Sequence, residues 1–246
     1  MQRILDYHIV GNRIVQWIKG YADDNKIQSL VVGVSGGIDS AVVSTLCAKT
    51  RLPVFALGMP IHQDSGQESL SDGHLKSLEE KYDNVKLLKF DLTDTFEEFK
   101  KSLAEYSHDD LALANTRSRL RMVTLYQNAG KYNGIVVGTG NKVEDYGVGF
   151  YTKYGDGGVD IAPIADLYKT EVWELGKSLG VNQKIIEAKP TDGLWDDQRT
   201  DEEQLGATYS DLEYAMEYGK GSALKVLENF NQANKHKMQP IPTFKL

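Results

Sequence analysis

An α/β fold with a doubly wound, mainly parallel sheet flanked by helices is predicted by three features of the sequence. Short apolar, β-branched runs at residues 30–34, 54–57, 85–90 and 134–138 alternate with segments long enough for helices. Strands joined by such segments pair in parallel through right-handed crossovers. The first run ends in a glycine-rich turn that leads directly into a helical pattern, the kind of junction at which open α/β sheets bind ligands. The chain has 246 residues with 41% hydrophobic content, enough for one sizeable core, so residues 1–246 are expected to form a single domain.

Taken in order, residues 4–25 place Leu5, Ile9, Ile14, Trp17, Ile18 and Tyr21 at helical spacing, one face for the sheet or a partner. The strand at 30–34 follows, then a helix over 41–51 and the strand Val54-Phe55-Ala56-Leu57. Met59-Pro60 and the polar segment 61–67 end this second strand at the ligand edge, where the segment is either a solvated loop or a ligand contact. A helix over 68–82, a strand over 85–90 and a helix over 93–106 come next, with Asp91 read as a helix cap. In the helix over 109–127, Arg117 and Arg121 share a face and Arg119 points elsewhere, free for another task such as phosphate binding. The strand at 134–138 then delivers Thr139 and Glu144 opposite the first loop.

That loop is Ser35-Gly36-Gly37-Ile38-Asp39-Ser40. Its glycines permit positive φ and close backbone approach, and the N–H groups of the turn and helix start suit an anion. Ser35 and Ser40 add hydroxyl donors. A carboxylate at Asp39 beside phosphates makes sense with a divalent cation between them. The structural alternative is a plain turn capped by Asp39 or Ser40. Glu144 is either a second carboxylate for the same cation, since Mg²⁺ prefers one or two carboxylates with phosphate oxygens and water, or, with Asp145, an acidic loop residue, the reading that local sequence alone favours.

Composition narrows the partners. The formal charge is −7, with 28 Lys and Arg against 35 Asp and Glu, and no basic block stands out, which argues against nucleic acid. The one cysteine, Cys47, excludes an internal disulfide and a Cys-x-x-Cys metal site. No signal segment or membrane-length apolar run is present, so a cytoplasmic protein is expected.

The Ser-Gly-Gly-Ile-Asp-Ser loop lacks a Walker ending and resembles the pyrophosphate loop of N-type ATP pyrophosphatases, Rossmann-like enzymes that cleave ATP between the α and β phosphates. A second stretch, Gly149-Phe150-Tyr151-Thr152-Lys153-Tyr154-Gly155-Asp156-Gly157-Gly158-Val159-Asp160, narrows the resemblance to the ammonia-dependent NAD synthetases. It covers the chain from about Val31 to the C-terminus. The resemblance implies amidation of deamido-NAD to NAD with ammonia through an acyl-adenylate, with ATP as co-substrate, Mg²⁺ as cofactor, and AMP and pyrophosphate released. It assigns Gly33, Val34, Ser35, Gly36, Gly37, Ile38, Asp39, Ser40, Met59, Thr139, Lys169 and Thr191 to ATP. In the 61–67 segment it makes Ser65 and Gln67 weak candidates for contact with the nucleotide. Asp39 and Glu144 would hold the metal. Arg119, Lys153, Asp160, His236 and Lys237 would meet deamido-NAD. Asp156 is the candidate proton acceptor for ammonia, which makes Asp39, Glu144, Asp156 and Lys169 the expected catalytic set. The flexible, polar 149–160 loop is expected to be held by something outside itself, such as a substrate, and to close over the site.

The resemblance also covers 189–195 and 198–209, and implies a homodimer with the dinucleotide site at the interface. This chain departs from many relatives at Gly140-Asn141-Lys142 and Met238, and has one extra residue between Glu144 and Gly149. With Cys47 in a core helix, no glutamine amidase domain is expected. The alternatives are an ATP pyrophosphatase amidating another substrate, and a non-catalytic nucleotide sensor.

Overall fold

The computed structural model describes residues 3, 4, 6–106, 109–191 and 200–245. Helix α1 (Tyr7–Asp24) precedes β1 (Ser29–Gly33), α2 (Ile38–Lys49), β2 (Val54–Gly58), α3 (Ser65–Lys81), β3 (Val85–Lys89), α4 (Thr93–Leu103), α5 (Asp110–Lys131) and β4 (Gly134–Val136). A π-helix (Lys142–Val148) follows, then α6 (Lys169–Leu179), α7 (Gln183–Glu187), α8 (Asp201–Leu205), α9 (Tyr209–Tyr218) and α10 (Leu224–Met238). Four parallel strands run in the order β3-β2-β1-β4, with Leu30 opposite Val54 on one side and Val31 opposite Val136 on the other.

This order makes the fold doubly wound. The crossovers through α2 and α3 lay their apolar residues on one face of the sheet, where Val42, Leu46, Leu75 and Leu78 join Leu30, Val32 and Ala56 in the main core with α1 and α6. The return through α4 and α5 covers the other face, where Val31, Leu57 and Val136 meet Leu125 and Ala129. Both faces of β1 are therefore buried, which is why its sequence is continuously apolar rather than alternating. The strand order reverses between β1 and β4, so their carboxyl ends diverge into a crevice.

Several helices begin or end differently from expectation. Helix α2 starts at Ile38 with Gly37 at its N-cap, not after the Asp39-Ser40 pair, and no side chain caps it. Helix α3 starts at Ser65 because the Asp64 carboxylate accepts the N–H groups of Gly66 and Gln67. The segment between Glu144 and Gly149 lies in the π-helix, whose turn is wider than that of an α-helix. Its inner side, Val143 and Val148, packs on Leu205, Tyr209, Leu212 and Ala223 from the C-terminal helices.

Candidate active site

The crevice at the reversal point is a cavity of about 630 Å³ whose wall includes the 33–40 loop, Val136 to Gly140 and Lys169. On the floor, Gly36 has a φ of +92°. A Cβ there would lie 2.7 Å from the Gln67 carbonyl oxygen, so glycine is required by conformation and by space. The turn holds itself: Ser35 N–H donates to Ser40 Oγ at 3.2 Å, and Ser40 Oγ donates to the Gly37 carbonyl at 3.0 Å. With no side-chain cap on α2, its first N–H groups and positive dipole end face the cavity, an arrangement suited to phosphate.

Asp39, in the first turn of α2, meets two groups from the far side of the crevice. Lys169, the first residue of α6, places Nζ 2.6 Å from Asp39 Oδ2 and 2.8 Å from Glu144 Oε1. Asn141 donates Nδ2 to Asp39 Oδ1 at 3.2 Å, while its Oδ1 accepts from the N–H groups of Val143 and Glu144 and caps the π-helix. Tyr209 OH donates to Glu144 Oε1 at 2.6 Å and lies 3.2 Å from Asp201 Oδ2. Burial, then the neighbouring Glu144 charge, raises the Asp39 pKa against the opposing pull of Lys169. Burial also acts to raise Glu144, but the Lys169 charge and the hydrogen bonds of Lys169, Tyr209 and Asn141 outweigh it and hold that carboxyl below its ordinary value. Burial works against the Lys169 charge, yet Asp39 and Glu144 outweigh it and raise its pKa. Lys169 is thus a buried cation between two carboxylates.

Asp156 lies across the cavity on the glycine-rich loop. Its Oδ1 accepts from Ser118 Oγ at 2.7 Å and from the Thr152 N–H at 2.9 Å, and its own N–H donates to Ser118 Oγ. Its pKa is raised, because the cost of burying its charge exceeds the gain from those bonds. The loop itself is held by other parts of the protein. Thr152 Oγ1 donates to Asn115 Oδ1 at 2.6 Å, Tyr151 OH to the Lys237 carbonyl at 2.8 Å, and Lys237 Nζ to the Tyr151 carbonyl at 2.7 Å. Two consecutive turns, Thr152 to Gly155 and Gly155 to Gly158, give it an ordered backbone. Helices α5 and α10, distant in sequence, supply what local composition lacked.

The predicted ATP set, including Met59, Thr139 and Thr191, all lines this cavity, as does Lys237. The other residues expected at deamido-NAD do not. Arg119 is held on the outside by a 3.3 Å bond from Nε to the Lys153 carbonyl, and His236 is exposed. Lys153 lies over the Tyr154 ring outside the cavity wall. Asp160 ties the sheet edge, accepting the Val136 N–H at 2.7 Å and the Tyr126 hydroxyl at 3.0 Å. Arg121 is the arginine that reaches the cavity, donating to the Met59 carbonyl and Gln63 Oε1. Of the weak candidates, Gln67 lines the wall and Ser65 does not. The 192–195 segment and Gln198 lie outside the described residues.

Sequence reasoning missed Ser118, Asn141, Tyr209 and Asp145. Only Asn141 carried a usable signal, since an Asx residue before an acidic first turn reads as an N-cap. Among the described residues no group of three or more His, Cys, Asp or Glu side chains is arranged to hold a metal ion. No helix among them is long and apolar enough to cross a membrane.

Comparison with known proteins agrees with this geometry. The family model described as NAD synthase matches residues 10–242. An NH(3)-dependent NAD(+) synthetase from Carboxydothermus hydrogenoformans is 39% identical over 230 residues, 92% of this chain and 92% of the relative. The fold superposes on NMN synthetase from Francisella tularensis with a TM-score of 0.88 and 32% identity, covering 99% of this chain and 100% of that one. An NH3-dependent NAD synthetase from Campylobacter jejuni, in complex with the nitrate ion, superposes with a TM-score of 0.78 and 27% identity, covering 98% and 100%.

Proposed function

The chain belongs to the NAD synthase family, and we propose that it is an ammonia-dependent ligase that converts the nicotinate carboxylate of deamido-NAD into the amide of NAD. The observation that carries this reading is the meeting, in one cavity, of an uncapped helix start, the Asp39–Lys169–Glu144 cluster and a second carboxylate, Asp156, on the opposite wall. A carboxylate oxygen is a poor leaving group, so ATP first forms an acyl-adenylate and pyrophosphate departs. Ser35, Gly36, Gly37 and Ser40 cradle the phosphates, with Lys169 offsetting their charge; this is positioning and electrostatics, not covalent catalysis. Ammonia then forms the new C–N bond, the C–O bond to AMP breaks, and Asp156 takes the proton that nitrogen loses.

Asp39 and Glu144 suit Mg²⁺. Both present hard oxygen donors to one point, where Lys169 now supplies the positive charge, and phosphate oxygens and water would complete the coordination. When bound, the ion screens the phosphates and polarises the α-phosphorus.

Arg119, Lys153 and His236 lie outside their own cavity, which favours a homodimer in which they serve the partner's dinucleotide. The exposed Leu111, Val123 and Tyr126 of α5 offer an apolar face for it.

A second reading has one observation behind it, the TM-score of 0.88 with an NMN synthetase. In that reading the acid is the mononucleotide. One experiment tests both: purified protein with Mg-ATP, ammonium or glutamine, and either deamido-NAD or nicotinate mononucleotide. Matched AMP and NAD with ammonium supports the first reading, and preferential NMN formation supports the second. ATP binding without turnover on either acid would overturn both and point to a nucleotide sensor.

A further inference from the structure

We propose that Asp145 is a substrate-binding residue that draws the ammonium ion into the cavity and holds it beside Asp156, an inference that rests on the ammonia-dependent reading above. Asp145 follows Glu144 in the first turn of the π-helix, its N–H donating to the Asn141 carbonyl at 3.0 Å. Its side chain lies across the backbone of Gly140 and lines the cavity; a Cβ at position 140 would collide with the Asp145 carboxylate. The glycine leaves the room in which that carboxylate sits.

Asp145 differs from every other acid of the cluster. Asp39 is bonded by Lys169 and Asn141, Glu144 by Lys169 and Tyr209, and Asp156 by Ser118 and Thr152. The Asp145 carboxylate has no hydrogen-bond donor among the described residues, although it is half-buried in the cavity wall with Asp156, Glu144 and Asp39 as charged neighbours. Lys237, a cation whose charge acts on it, gives Nζ to the Tyr151 carbonyl. A half-buried carboxylate that faces the cavity without a protein donor, among like charges, is placed to take a cation that enters the cavity.

The substrate supplies one. Ammonia in neutral solution is mostly ammonium, which carries four N–H donors and no acceptor. Asp145 offers two acceptor oxygens, and Asp156 uses only Oδ1 among the described residues. Ammonium held between them would first lose one proton to the water of the cavity to become ammonia, and would stand next to Asp156, which takes the second as the C–N bond forms.

The test compares two nucleophiles in wild type, Asp145→Asn and Asp145→Ser. Ammonium enters as a cation, whereas hydroxylamine is neutral at pH 7.5 and traps the same acyl-adenylate as a hydroxamate. The expected result is a rise of about tenfold or more in KM for ammonium, with KM for ATP and deamido-NAD and the hydroxamate rate within about twofold of wild type. Gly140→Ala, which displaces the carboxylate but keeps its charge, should also raise KM for ammonium. Equal losses with both nucleophiles, an unchanged ammonium KM, or a raised Mg²⁺ requirement instead would overturn the inference. Absence of wild-type turnover with ammonium overturns the underlying reading as well, whereas wild-type turnover with unaltered Asp145 variants overturns this inference alone.

Discussion

The ammonium group of Lys169 stands at the point where Asp39 and Glu144 converge, so it balances charges that would otherwise be buried uncompensated. Lys169→Met should therefore destabilise the protein by about 3 kcal/mol, and Mg²⁺ should raise the Tm of this variant more than that of wild type. Thermal melts with and without Mg²⁺ check this, and equal shifts in the two proteins would remove the metal from the Asp39–Glu144 pair. The two acids on opposite walls should fail differently. Asp39→Asn should reduce adenylation by about 10²- to 10³-fold, measured as ATP–pyrophosphate exchange, whereas Asp156→Ala should slow amide formation more than exchange. Equal loss of both steps in Asp156→Ala would contradict its role as proton acceptor. At this scale the sequence was informative for residues inside a motif. Spacing shows that Arg119 diverges from Arg117 and Arg121 but not which face of α5 the cavity occupies; Arg121 lines this cavity and Arg119 lies outside it.

Helix α2 joins the anion-binding turn to the core. Gly36→Ala would force an L side chain into positive φ and against the Gln67 carbonyl, and should cost about 1–3 kcal/mol, read from denaturant unfolding. Helix α3 is tied to α2 by His74, whose Nε2 lies 2.9 Å from Ser44 Oγ. Burial pushes this imidazole down to about 4 from 6.5. The unfolded chain therefore binds a proton below pH 6.5 that the folded chain refuses until about pH 4, and stability falls as pH drops through that window. The full effect is about 3 kcal/mol. His74→Gln should flatten the dependence of unfolding free energy on pH between those limits; an unchanged slope would place the titration elsewhere. The π-helix was not legible, since no local pattern over residues 142–148 distinguishes its wider turn from a loop.

The sheet order brings the parts of the site together. Because β4 returns beside β1, Thr139 and the π-helix face the 33–40 loop, though about a hundred residues of chain separate them. If Arg119, Lys153 and His236 serve a neighbouring subunit, the protein should elute at twice its 27.4 kDa chain mass. Charged substitutions at Val123 and Tyr126 should then lower both the mass and the affinity for deamido-NAD. Elution as a monomer with full activity would return those residues to the solvent.

The sequence by itself determined the parallel α/β class, the strand–turn–helix junction at 30–40, and which acids and lysine are candidates for the site. Each is written in local signals: apolar runs, glycines and a contiguous motif. Only the tertiary structure decided that Lys169 neutralises Asp39 and Glu144 together, that Ser118 and Asn115 hold the glycine-rich loop, and that Asp145 faces the cavity without a donor. These contacts join residues far apart in the chain. Packing selects them when the two halves of the sheet close on one crevice, and no local pattern records that choice.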